Sequence, residues 1–189
     1  MRDQLHLYHS TTVDRIPIIC QEGLQPSEYG HRDSIEDDLR TIAAENETLL
    51  PIIRQNCVFC YLSLRTAMEV TAFDKGEPDT SPTLCSREGI VVIEADSMQN
   101  ELYIGDFDLF SDAIDLQFMD EPDHAVKSES YEDALTSYAE SLTKLTAFES
   151  TDQINDTFHT PEILLENGVS NSRIVETVLV KQILRTKFD

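Results

Sequence analysis

His9, Thr11 and Glu162 are the side chains whose settings in the sequence suggest chemistry. The stretch Leu5–Pro26, LHLYHSTTVDRIPIICQEGLQP, alternates apolar and polar residues from Leu5 to Tyr8, as a half-buried strand does. Ser10, Thr11 and Thr12 can then cap a helix from Val13 to Glu22 with Ile16, Ile19 and Cys20 on one face. Pro17 fits its first turn, Gly23 its C-terminal cap, and Pro26 blocks continuation. His9 and Thr11 are thus expected where a strand ends and a helix begins, where side chains and free backbone N–H groups can meet a ligand. The plainer alternative is that they satisfy the turn. Near the other end, Pro161–Leu165, PEILL, reads as a strand opened by a proline, a permitted place for one. Glu162 and Leu164 share a face, so a carboxylate is presented beside apolar side chains at the strand entrance. On an inner face that charge is costly unless paired or used; the alternative is a solvated strand edge.

The cysteines suggest less. Cys57 and Cys60 form a CxxC, but CVFCYLS reads as a strand, on which residues three apart point to opposite faces. Zinc would need a second pair, and Cys20 and Cys85 are isolated. Buried free thiols and no metal site are expected.

These residues need elements to hold them. A helical stretch is expected from Ser34 to Gln55, with Glu36, Asp37 and Asp38 at the positive end of its dipole and Pro51 splitting it in two. This segment, 34–55, is a candidate insertion or lid, with plain packing as the alternative. Cys57–Leu62 follows as a buried strand, Phe59 and Tyr61 on one face, Val58, Cys60 and Leu62 on the other. Ser63–Phe73 reads as a short helix with Ala67, Val70 and Phe73 inward, and Asp74–Glu88 as a loop. Gly89–Ala95, GIVVIEA, has the β-branched run of a central strand. Residues 101–110 suggest an edge strand and a turn, and Asp120–Ser130 a second loop. From Glu129 to Phe148, Tyr131, Leu135, Tyr138, Leu142 and Leu145 follow the helical period. Glu166-Asn167-Gly168 is a turn signal before a final strand, Val175–Leu184. No repeat or linker divides the chain, so one domain over 1–189 is expected.

Charge is the loudest compositional fact: 36 acidic residues stand against 14 basic ones, a formal net charge of −22. The acids are scattered, which implies an acidic surface rather than an acidic arm. A halophilic host would suit such a chain, because at about 1 M salt the Debye length falls to about 3 Å and self-repulsion is screened. A negative decoy for a basic partner would suit it as well. Without a basic-then-apolar start or a long apolar run, a soluble cytoplasmic protein with no membrane contact is expected.

Three blocks, in order, resemble the ADP-ribosyltransferase superfamily. YHSTTVDRIPIICQEGLQP is similar to its Tyr-His-x-Thr strand, helix and Gly-Leu turn, and FCYLSLRTAME to its aromatic-plus-Ser strand and following helix. TPEILLENGVSNSRIVETVLV is similar to the strand presenting the catalytic glutamate and the closing strand. YLSLRTAM further resembles the Tyr-Phe-Ser-x-Arg-Thr-x-Met stretch of the DarT group, which modifies DNA bases, departing from it at Leu64 and Ala67, where prolines are common. His124 is a poor match for that group's additional histidine. The resemblance implies an α+β fold with two small mixed or antiparallel sheets forming an NAD cleft flanked by helices. It implies NAD as substrate, with His9 on a ribose, Thr11 assisting, Tyr61 stacked on nicotinamide, Ser63 beside it, Arg65 on phosphate or substrate, and Glu162 catalytic. ADP-ribose would pass to a macromolecular acceptor, protein or nucleic acid, as a toxin or antiviral effector does, with a cognate antitoxin as a partner. The competing expectation is an inert member of the fold, or an acidic binding module.

Overall fold

One antiparallel sheet runs through the molecule in the order β5-β4-β6-β2-β1-β3-β7. It is seen in a computed structural model that describes residues 5–26, 33–73, 88–118 and 126–179. The strands are β1 (His6–Thr12), β2 (Cys57–Tyr61), β3 (Glu88–Glu94), β4 (Leu102–Asp106), β5 (Thr143–Lys144), β6 (Pro161–Glu166) and β7 (Ile174–Leu179). The α-helices among the described residues are α1 (Ile16–Glu22), α2 (Asp33–Glu45), α3 (Leu64–Phe73), α4 (Phe107–Phe118), α5 (Tyr131–Ser141) and α6 (Thr151–Thr157).

The sheet narrows to a seam between β1 and β2. β5, β4, β6 and β2 form one half and β1, β3 and β7 the other, and β1 meets β2 through a single register pair, Tyr8 opposite Tyr61. Helices flank both faces, as the resemblance implies, and its two sheets are here the halves of one continuous antiparallel sheet. Alternation along the strands divides the core accordingly. Leu7, Val58, Cys60, Val91, Ile93, Ile104 and Ile163 share one face, which α1 covers with Ile19 and α6 with Ile154. On the other face Leu164 and Phe59 pack under α2, α4 and α5, and Tyr61 and Ile90 pack against Ala67 of α3.

Several sequence expectations change in the folded chain. β1 runs through Ser10, Thr11 and Thr12 to pair with β3, so these hydroxyls do not cap a helix; a 3-10 turn, Val13–Arg15, precedes α1. Long-range pairing with β3 outcompetes the local cap. Cys20 is exposed, unlike the buried Cys57 and Cys60. α2 stops at Glu45, before Pro51, and its chain leaves through Glu47 at φ 55° rather than entering a second helix. β4 is interior, and α4 follows it directly where a turn was expected. α5 is shorter than its apolar period, because Leu142 leaves the helix and the chain turns into β5. The Asn167-Gly168 turn forms, with both residues at positive φ (64° and 86°), but it leads to a bridge between Val169 and Leu24 and not to a hairpin with β7. Cys85, His124, the loop at 74–87 and the final strand past Leu179 lie outside the described residues.

Candidate active site

β6 lies between β4 and β2, so Glu162 is an interior residue with Gly105 on one side and Tyr61 on the other. It is 0% exposed, which rules out the solvated-edge alternative. Its entrance is fixed by Asp106, whose carboxylate accepts from the backbone N–H of His159 at 3.0 Å and of Thr160 at 3.1 Å.

A buried carboxylate needs donors, and Arg54 supplies them. Its guanidinium, on the turn before β2, donates from Nη2 to both Glu162 oxygens (3.1 and 3.3 Å) and from Nε to Oε1 (3.3 Å). Nη1 donates to Glu36 of α2 at 3.0 Å. The Tyr138 hydroxyl of α5 donates to Glu162 Oε1 at 2.6 Å. Above and below, the rings of Phe59 and Phe110 sandwich the guanidinium carbon, with centroids at 4.0 and 3.7 Å. Burial alone would push the Arg54 pKa down; the charges of Glu162 and Glu36 and the Tyr138 oxygen outweigh it and hold the pKa well above its ordinary value. Burial, reinforced by Glu162, likewise pushes the Tyr138 hydroxyl well up, so it stays a donor. Gly105 makes room for this arrangement: a Cβ there would come within 2.8 Å of Leu142 Cδ2 and 3.3 Å of Tyr138 Cε2.

Tyr61, directly across the ladder from Glu162, points to the same face and is 6% exposed, packed with Ala67, Ile90 and Phe107. Alanine at this position is therefore a core truncation, of about 3–5 kcal/mol for an aromatic side chain. Ser63 caps α3, its Oγ accepting from the Thr66 N–H at 3.0 Å, and Arg65 is exposed on the first turn of that helix. Thr11 lies near the end of β1 opposite Gly89.

His9 sits differently. Alternation puts it on the Leu7 face of the sheet, opposite to Tyr8, Tyr61 and Glu162. Its ring reaches into the seam, where Nδ1 is 2.8 Å from the Phe59 carbonyl. A carbonyl only accepts, so Nδ1 carries the proton and Nε2 of the neutral ring is left as an acceptor. Burial lowers the His9 pKa, partly opposed by that hydrogen bond and assisted by the Arg15 charge. The linkage has a definite sign. Below 6.5 the unfolded chain binds a proton that the folded chain resists, so this contribution to stability is present above 6.5 and is lost as pH falls below it. Thermal melts of the protein should lose more stability below that pH than melts of His9→Gln; parallel curves would disprove a strained neutral His9.

The fold thus brings Tyr61 and Glu162 together, sets Ser63 and Arg65 at the adjoining helix start, and reaches His9 only through the seam. Sequence reasoning missed Arg54, Tyr138 and Glu36. The available signal was an arginine between Ile52-Ile53 and the apolar strand from Cys57, whose partner strand carries an inward glutamate. The buried thiols are unreactive: burial pushes Cys57 up to about 12, against the opposing Arg54 charge, and pushes Cys60 up too.

No protein-family model and no curated protein matches the sequence. Solved structures do. Thermosipho africanus DarTG in complex with ADP-ribose superimposes with a TM-score of 0.50 at 15% identity, over 96% of this chain and 46% of that one. Thermus sp. 2.9 DarT in complex with NAD+ gives 0.44 at 12% identity, over 98% and 89%. The same Thermus protein in complex with ADP-ribosylated ssDNA gives 0.44 at 11%, over 98% and 88%. The chain has the DarT-like ADP-ribosyltransferase fold. It spans about half the length, 46%, of the Thermosipho protein.

Proposed function

We propose that the protein is an NAD-dependent ADP-ribosyltransferase acting on a macromolecular acceptor, in the manner of a toxin or antiviral effector. The observation that carries this reading is the register: Glu162, the match to the superfamily's catalytic glutamate, stands directly across from Tyr61, the match to its nicotinamide-stacking aromatic. Tyr61 lies at the seam, where β1 and β2 share a single register pair, and the His9 ring enters the seam with Nε2 left to accept from a ribose hydroxyl. Arg65 and the Ser63 cap lie at the start of α3, within the chain's own next turn.

In the reaction the bond between nicotinamide nitrogen and the ribose anomeric carbon breaks, and its electron pair leaves with nicotinamide. The acceptor's lone pair forms the new bond to that carbon, and the acceptor releases its proton. The ribose passes through an oxocarbenium-like state, as in glycoside cleavage. A fixed carboxylate stabilises that developing positive charge, which is the role assigned to Glu162. Arg65 would neutralise pyrophosphate. The surface, at −22 overall, opposes tight contact with a nucleic-acid backbone and favours a protein acceptor where the two compete.

A second reading has its own observation. Glu162 is 0% exposed with both oxygens engaged, as expected of a structural pin in a chain that binds a nucleotide or partner without turning it over. Labelled NAD offered with protein, DNA and RNA acceptors separates the two readings, the second requiring no transfer to any of them. Binding is tested by calorimetric titration. His9→Ala and Arg65→Ala should each weaken NAD binding by roughly tenfold, the equivalent of about 1.4 kcal/mol. Unchanged affinity in both variants would remove NAD from this site.

A further inference from the structure

Among the groups around Glu162, Arg54 is unassigned by any resemblance, yet it makes the most contacts with the carboxylate. We propose that Arg54, with Tyr138, is a positioning residue that fixes which oxygen of Glu162 acts. The inference rests on Glu162 being the carboxylate of the proposed reaction.

The two oxygens are treated unequally. Oε1 accepts from Tyr138 Oη at 2.6 Å and from Arg54 Nη2 at 3.3 Å, and it is the longer partner, at 3.3 Å, of the single Arg54 Nε–H, which also reaches Tyr138 Oη at 3.0 Å. Oε2 accepts one, from Nη2 at 3.1 Å. A carboxylate oxygen has about two lone-pair sites, so Oε1 is saturated and Oε2 retains capacity for a further donor such as a ribose hydroxyl. The orientation is held from several sides. Phe59 and Phe110 clamp the plane of the guanidinium, and Glu36 occupies Nη1, so Arg54 cannot rotate without breaking a second buried pair. A lysine would keep the charge but lose the fork and the stacked plane. A carboxylate fixed before the reaction needs no reorganisation as charge develops, which is where the gain in rate arises.

The test compares Arg54→Met combined with Glu36→Gln, Arg54→Lys, and Tyr138→Phe with the parent, reading NAD affinity, kcat and melting temperature. The double substitution removes one charge of each sign. It should lower kcat by roughly 30-fold or more while the Kd for NAD stays within about twofold. Arg54→Lys should recover part of kcat. Tyr138→Phe, which retains every charge, should lower kcat by roughly tenfold and decides the matter if the double variant does not fold. Parental kcat in a folded double variant, or in Tyr138→Phe where the double variant fails to fold, overturns the positioning role and leaves the enzyme reading intact. A parent that binds NAD but turns none over, with any acceptor, overturns both.

Discussion

Arg54→Met should lower stability by about 3–5 kcal/mol, the usual cost of removing one partner from a buried ion pair. The size follows from what stays behind. Glu162 and Glu36, 0% and 5% exposed, would keep their positions with no cation between them, in a pocket walled by Phe59 and Phe110. Burial of an unpaired carboxylate is among the most expensive defects a core can contain. Methionine fills much of the volume, so the loss reads charge more than cavity. For a chain of this length the melting temperature should fall by roughly 6–20 °C. Removing all three charges together, in Arg54→Met/Glu36→Gln/Glu162→Gln, should restore most of that stability, because no uncompensated ion remains. Urea and thermal unfolding of both variants measure this. A single substitution as mild as the triple one would mean that the pocket is wetter, and the pair weaker, than its geometry implies.

The same pocket explains what the sequence could and could not reveal. Patterns with a short range were legible: the β-branched run of β3, the opposite faces of Cys57 and Cys60, the Asn167-Gly168 turn. Each depends on a residue and its near neighbours. The Tyr61 and Glu162 strands were placed correctly for the same reason, yet their direct opposition is a register fact set by β2 pairing with β6, 101 residues apart at this pair (162 − 61). No local pattern encodes it. The helix boundaries erred where tertiary pairing overruled a local preference, as when β1 continued through Ser10–Thr12. α4 was missed although Phe107, Phe110 and Ala113 repeat with helical spacing: Gly105 and Asp106, which abut it, are turn formers by type, yet in the folded chain they are the last residues of β4, paired with Glu162 and Pro161 of β6. Arg54, Glu36 and Tyr138 come from three separate segments and converge only in space. An inward carboxylate predicts that some cation must meet it. It does not say which one.

Glu162→Gln should lower transfer or NAD turnover by roughly 10²-fold or more, the scale on which an electrostatic stabiliser counts, while NAD affinity stays within about twofold. The structure adds a cost that the sequence did not suggest. With the amide oxygen at the Oε1 position, where it still accepts from Tyr138 and Arg54, the NH2 group faces Arg54 Nη2 across the present 3.1 Å contact, donor to donor. That leaves a buried donor unsatisfied and should lower stability by about 1–3 kcal/mol. Activity must therefore be read at a temperature well below the melting points of both proteins. Leu164→Ala supplies the matched control: it lies two residues along the same face of β6, is fully buried, and costs about 2–5 kcal/mol through packing alone. If the carboxylate acts on the ribose, Glu162→Gln loses turnover far beyond Leu164→Ala and keeps its NAD affinity. If it is a pin, the two variants fall together in every property, each in proportion to its loss of stability, and the catalytic assignment of Glu162 is withdrawn.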